Sequence, residues 1–295
     1  MKRTPAERTP RDVKSAPRST LLALAAALTV AVLLAAPYAT RALAAPGSDA
    51  IFAIGDGGFL DPIAVRKDGT FVNPGSNDGG PSQSLANAAV AALASAGNRV
   101  HVLFGGRVIA TLSATVDHAQ AHVVVPPSLH LYGHVGAVAS TLGGYAKSAR
   151  RAPTARERRL ALTAAAAKLD TTAGRLTVRN LTAIDLGRGI AFVGSVDLRG
   201  TGTPRTDKRL FFVLDASYGG TGFVEALSSV QTIKVTEPLL EEPAEYLVDA
   251  VDLGNNTPAL VTSIIGYDAN TYAIYARAKT GPRWMKIYEG GGAAL

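Results

Sequence analysis

The chain of 295 residues has no cysteine, a single tryptophan and two methionines, and charged residues make up only 18% of it. Without cysteine there is no disulfide, no thiol nucleophile, no cysteine-ligated zinc and no lipid attached at a lipobox. The fold must therefore hold by packing. Charge of one sign is also scarcer than the pI of 9.7 suggests. Seven cations (Lys2, Arg3, Arg8, Arg11, Lys14, Arg18, Arg41) and two anions (Glu7, Asp12) fall in the first 44 residues, which leaves the rest near +2. A nucleic-acid binder should carry a basic face, so no nucleic-acid partner is expected. One basic cluster remains, Lys147, Arg150, Arg151, Arg156, Arg158 and Arg159. It is expected to be a solvated linker and helix start.

Thr20 to Ala36 is the one long apolar run. At about 17 residues, or ~25 Å as a helix, it is short for a bilayer span and suits the apolar core of a signal peptide. The leader before it is basic, Pro37 ends it, and Ala42-Leu43-Ala44 offers the small residues of a cleavage site. Residues 1–44 are expected to be a signal peptide for the general export route, since the leader lacks paired arginines. An uncleaved leader anchored in the inner membrane is the alternative, and would be the chain's sole membrane contact. Either way the remaining residues belong in the periplasm or outside the cell.

The remaining chain carries many turn signals, with 30 glycines and 16 prolines in the whole sequence. Mainly β structure is expected, α+β overall, with antiparallel sheets and two helices. Asp68-Gly69 and Gly105-Gly106 predict tight hairpins, because both residues of such turns need positive φ. Leu85, Ala88, Ala89, Ala92, Leu93 and Ala96 recur at helical spacing and predict a helix over about 82–96. Thr154-Ala155-Arg156-Glu157 is a capping box that predicts another over about 154–170. After Arg175 only strands are expected, eight of them. The domains read as an α+β region (45–145), a basic linker and helix (146–174) and a β-rich region (175–295), or as one continuous domain.

Val196-Asp197-Leu198 and Val251-Asp252-Leu253 each lead into a Gly-rich turn ending in Thr-Pro and a strand, their aspartates 55 residues apart. Residues 180–290 resemble the FG-GAP or VCBS-type repeats of β-propellers. The resemblance implies sheet-forming, extracellular, adhesive units with calcium held in such turns. Arg199 and Gly254 stand where those turns place an oxygen ligand, so each aspartate is expected to bond its own turn backbone instead.

Few residues suggest chemistry. His118 with His122, and His130 with His134, are spaced to share a face and are the metal candidates. Pro126-Pro127 interrupts the series and no glutamate completes a peptidase motif, so turn and surface histidines explain it as well. Lys279-Thr280-Gly281 matches one box of penicillin-interacting enzymes, yet no serine stands three residues before a lysine. No Gly-x-Ser-x-Gly elbow or phosphate-cradling loop occurs. Carboxylate pairs such as Asp249 and Asp252 could serve glycoside hydrolysis. Trp284, Tyr288, Tyr272 and Tyr275 are the ligand candidates, stacking on a glycan if exposed and forming core if buried.

These features predict an exported, non-catalytic domain that contacts a protein or polysaccharide, with no cofactor. A hydrolase of envelope polymers and a histidine-based metal binder are the alternatives. N-terminal sequencing of the exported protein is expected to begin at Ala45, and a soluble cytosolic chain that keeps its leader would contradict the export reading.

Overall fold

In the computed structural model, Asp68, Gly69, Gly105 and Gly106 take φ values of 50°, 80°, 66° and 81°, as the two hairpins require. The structure describes residues 49–74, 83–117, 120–129, 138–147, 150–216, 222–235, 244–265, 270–281 and 283–290. The expected leader and its cleavage site lie outside them. Strand β1 (Asp49–Ile54) pairs with β2 (Phe59–Lys67), which turns at Asp68-Gly69 into β3 (Thr70–Val72). Helix α1 (Gln83–Ser95) precedes the second hairpin, β4 (Arg99–Phe104) with β5 (Arg107–Asp117), and then β6 (Gln120–Val123) and β7 (Val138–Ser140). The antiparallel order β1-β7-β4-β5-β6-β2 returns to β1, closing a ring of six strands with β3 beside it. A ring this narrow has little interior. Ala50, Ala114, Ala121 and Ala139 line it together with Val100 and Val102, and Ala89, Ala92 and Leu93 of α1 pack into the same cluster.

The expected second helix is α2 (Ala155–Lys168), capped by Thr154 and Glu157 as the motif requires. Two four-stranded meanders follow. The first comprises β8 (Leu176–Asp185), β9 (Ile190–Leu198), β10 (Arg205–Ala216) and β11 (Phe223–Val235). The second comprises β12 (Ala244–Asp252), β13 (Pro258–Ile265), β14 (Asn270–Arg277) and β15 (Trp284–Gly290). Among the described residues the chain is therefore mainly β with two α-helices, and the C-terminal sheets beyond α2 are all-β. Among the described residues no helix is long and apolar enough to cross a membrane.

The layers stack through three cores. One face of the second meander meets the ring, with Val248, Val251, Val261 and Ile274 against Ile51, Ile63, Leu103 and Val138. Its other face meets the first meander, with Leu247, Leu260, Tyr275 and Trp284 against Ile184, Val193, Phe211 and Val213. Helix α2 covers the far side of the first meander, setting Ala161, Ala165 and Leu169 on Phe192, Val196, Leu210 and Phe212. Pro46–Leu295 forms one compact unit.

Polar groups tie these layers. Arg277 pairs with Asp215 across the two meanders (Nη2 to Oδ2, 2.9 Å) and donates to the Leu186 carbonyl at 2.8 Å. The Trp284 indole donates to the same carboxylate at 3.2 Å. The basic stretch before α2 is a strap rather than a loose linker. Its amides at Tyr145, Ala146, Lys147 and Arg150 donate to Ala250, Gly106, Asp185 and Gly105, and Arg151 exchanges two bonds with Ala183.

Removing one member of a buried ion pair strands the other. Asp215→Ala is expected to cost about 3–5 kcal/mol in urea unfolding, whereas Asp215→Leu combined with Arg277→Met costs much less. A single variant within ~1 kcal/mol of wild type would show that the pair does not hold the sheets.

Candidate functional site

Helix α2 is rich in alanine, and this shapes the surface beside it. Ala161 and Ala165 sit down on the sheet, but Ala164 and Ala167 are too short to reach the end of it where β9 begins and β10 ends. A groove of about 900 Å³ remains, within the range of small-ligand sites. Its helical bank carries Thr154, Arg156, Leu160 and Thr163, and its sheet bank Ile190, Leu214, Ala216 and Phe223. The banks are open to water, since Leu160 is 46% and Phe223 37% exposed. Phe223 is steadied from below by Phe192, ring centroids 4.6 Å apart.

Two carboxylates line the groove, and each is already bound. Glu157 takes a bidentate pair of bonds from Arg151, both 2.7 Å, and another from the Thr154 amide. The Arg151 guanidinium lowers its pKa to about 2. Partial burial opposes ionisation of Glu225, but bonds from Lys168 (2.9 Å) and Ser228 (2.8 Å) outweigh it and hold its pKa below the usual range. Neither carboxyl keeps a proton at neutral pH, so neither is set up as a general acid. Arg156 and Arg188 complete the charged lining, and the Arg188 guanidinium also donates to the Gly281 carbonyl at 3.0 Å.

The candidates drawn from sequence lie elsewhere. Trp284, Tyr275 and Tyr288 are core side chains, Trp284 being 3% exposed. The Tyr288 hydroxyl donates to the Ile63 carbonyl at 2.6 Å. Burial and the nearby Glu245 raise the pKa of Tyr275. Tyr272 is half-buried against the ring core, and burial and then Asp61 raise its pKa. His122 stands on β6 with its ring 4.3 Å from that of the exposed Phe59. His118, His130 and His134 lie outside the described residues. Among the described residues no three His, Cys, Asp or Glu side chains gather to hold a metal.

The aspartates of the repeated motif differ in setting. Asp252 closes its own turn, accepting from Gly254 and Thr257 at 2.9 and 3.2 Å, as expected. Asp197 instead accepts from Arg209 (2.6 Å) and Arg179 (2.5 Å). It is next to last on the second strand of its meander, whereas Asp252 ends the first strand of its own.

Asp249 and Asp252 are three apart on one strand and face opposite sides of it. Asp249 is fully buried beneath the Gly105-Gly106 turn. Its Oδ1 accepts from the Gly106 and Ala250 amides, and its Oδ2 has no hydrogen-bond partner. Burial pushes its pKa up to about 7. With no path to substrate, this is a structural carboxyl. No protein-family model, curated protein or solved structure matches the chain.

The groove residues carried little sequence signal. Leu160 and the alanines read as an ordinary helix face, and the breadth of the sheet beneath was not legible.

The native state keeps the Asp249 proton up to about pH 7, while the unfolded chain releases it near ~3.9. Asp249 therefore destabilises the fold increasingly as pH rises between those values. Asp249→Asn is expected to gain about 1–3 kcal/mol on wild type between pH 5 and pH 8 in urea unfolding. An advantage that does not grow with pH would contradict the assignment.

Proposed function

We propose that the chain, once exported, is a non-catalytic binding domain of the envelope or extracellular space that holds an apolar segment of a protein partner in the groove beside α2. One observation carries the reading: the groove is open and mostly apolar, and the two carboxylates among its described lining residues are ion-paired, so neither is poised as the general acid a hydrolase needs. A protein segment suits it better than a polysaccharide. Glycan sites rely on exposed aromatic faces, and among the described residues lining this groove Phe223 is the single aromatic side chain. Two consecutive antiparallel meanders are in keeping with the adhesive β repeats that the Asp197 and Asp252 turns resemble. Calcium has little support there, since both carboxylates are committed to protein donors.

Selection from a random heptapeptide library tests the reading. Wild type is expected to enrich peptides with three or more consecutive apolar residues. Ala164→Phe, from a half-buried position, and Ala167→Leu, from an exposed one, fill the groove and are expected to lose that enrichment, Ala167→Leu while melting within a few degrees of wild type. No enrichment, or enrichment unchanged in both variants, would contradict it.

A further inference from the structure

The basic cluster before and within α2 divides by what its members touch. Arg150 is spent internally, donating to the Val248 carbonyl at 2.9 Å with its guanidinium over the Phe104 ring. Arg151 is spent on Glu157. Arg156, Arg158 and Arg159 are exposed on the first turns of α2, and among the described residues none of them has a carboxylate partner. Arg156 lies in the groove wall and Arg188 adds a second guanidinium there. Because Glu157 and Glu225 are neutralised by Arg151 and Lys168, Arg156 leaves positive charge at the helical rim of an apolar groove.

Its length is set by the helix. Arg156 to Ala167 spans eleven residue steps, about 16 Å at ~1.5 Å each, which an extended chain covers with about five residues. The groove is open, and the turn residues Gly189 and Gly222 bring backbone to its sheet bank, which suits a peptide with its own amides. A bare acyl chain would need enclosure.

We propose that the groove's partner is a protein segment of about five residues, apolar along its length and acidic at the end that meets Arg156. This rests on the reading of the groove as a protein-binding site and adds the chemistry of what enters it. Arg156 steers and selects, while apolar burial supplies most of the affinity.

Calorimetric titration of the protein purified from the exported fraction tests this with three acetylated, amidated peptides. They share the core Leu-Val-Leu-Val and end in two glutamates, two glutamines or two lysines. At about 20 mM salt the glutamate peptide is expected to bind roughly 5- to 10-fold tighter than the glutamine peptide. The ratio falls toward one at about 0.5 M salt. Arg156→Glu is expected to make the lysine peptide the tightest binder with an unchanged far-ultraviolet spectrum. Equal binding of all three at low salt would overturn the acidic assignment and leave the groove reading standing. Binding by none would overturn the groove reading itself. Displacement of the glutamate peptide by equimolar dodecanoate would overturn the peptide assignment in favour of an acyl ligand.

Discussion

The structure depends on the burial of one sheet from both sides. The meander β12–β15 has the ring on one face and the meander β8–β11 on the other, so on β12, β13 and β14 both alternating sets of side chains are largely removed from water. That demand explains why Leu247, Val248, Ala250, Val251, Leu260 and Val261 occur as nearly unbroken apolar runs. It also explains why Asp215, Asp249 and Arg277, which share this interior, must each find partners. A charge here is costly unless paired. Asp215 and Arg277 satisfy one another and the Trp284 indole, while Asp249 settles for two amides and a raised pKa. A chain without cysteine, and so without disulfides, has packing of this kind as its principal source of cohesion.

The same economy produces the groove. Close approach of α2 to the β8–β11 sheet needs small residues at Ala161 and Ala165. The alanine run continues past the positions that need it, and a helix faced with alanine cannot fill the broad end of a sheet carrying Leu214 and Phe223. What is left is an apolar trough with a charged rim. Its two acids are held by Arg151 and Lys168, cations that anchor the strap before α2 and the C-terminal turn of α2 to their surroundings. Site and scaffold thus share residues: the ion pairs that fasten the helix also set the sign of the groove's charge.

Much of the architecture was legible in local signals. Asp68-Gly69 and Gly105-Gly106 announced their hairpins because positive φ restricts the choice of residue, and Thr154 with Glu157 announced α2 because a capping box is a local device. The eight strands after Arg175 followed from short apolar runs between turn residues. What could not be read was association at a distance. Closure of six strands into a ring rests on the short β2–β6 and β1–β7 ladders, which leave no local trace. Nor does a run such as Tyr272 to Arg277 show whether its aromatic side chains face water or another sheet. Trp284 and Tyr275 are core for that reason, while the groove arises from residues too plain to draw notice, chiefly Ala164 and Ala167.

The most direct test of the account is to map where an apolar anion settles on the folded protein. In backbone amide NMR of the protein titrated with bis-anilinonaphthalene sulfonate, shifts are predicted to cluster at Arg156 to Ala167, Arg188 to Ile190 and Phe223 to Glu225. Shifts spread over the ring strands, or none at saturating probe, would contradict the claim that this groove is the binding site.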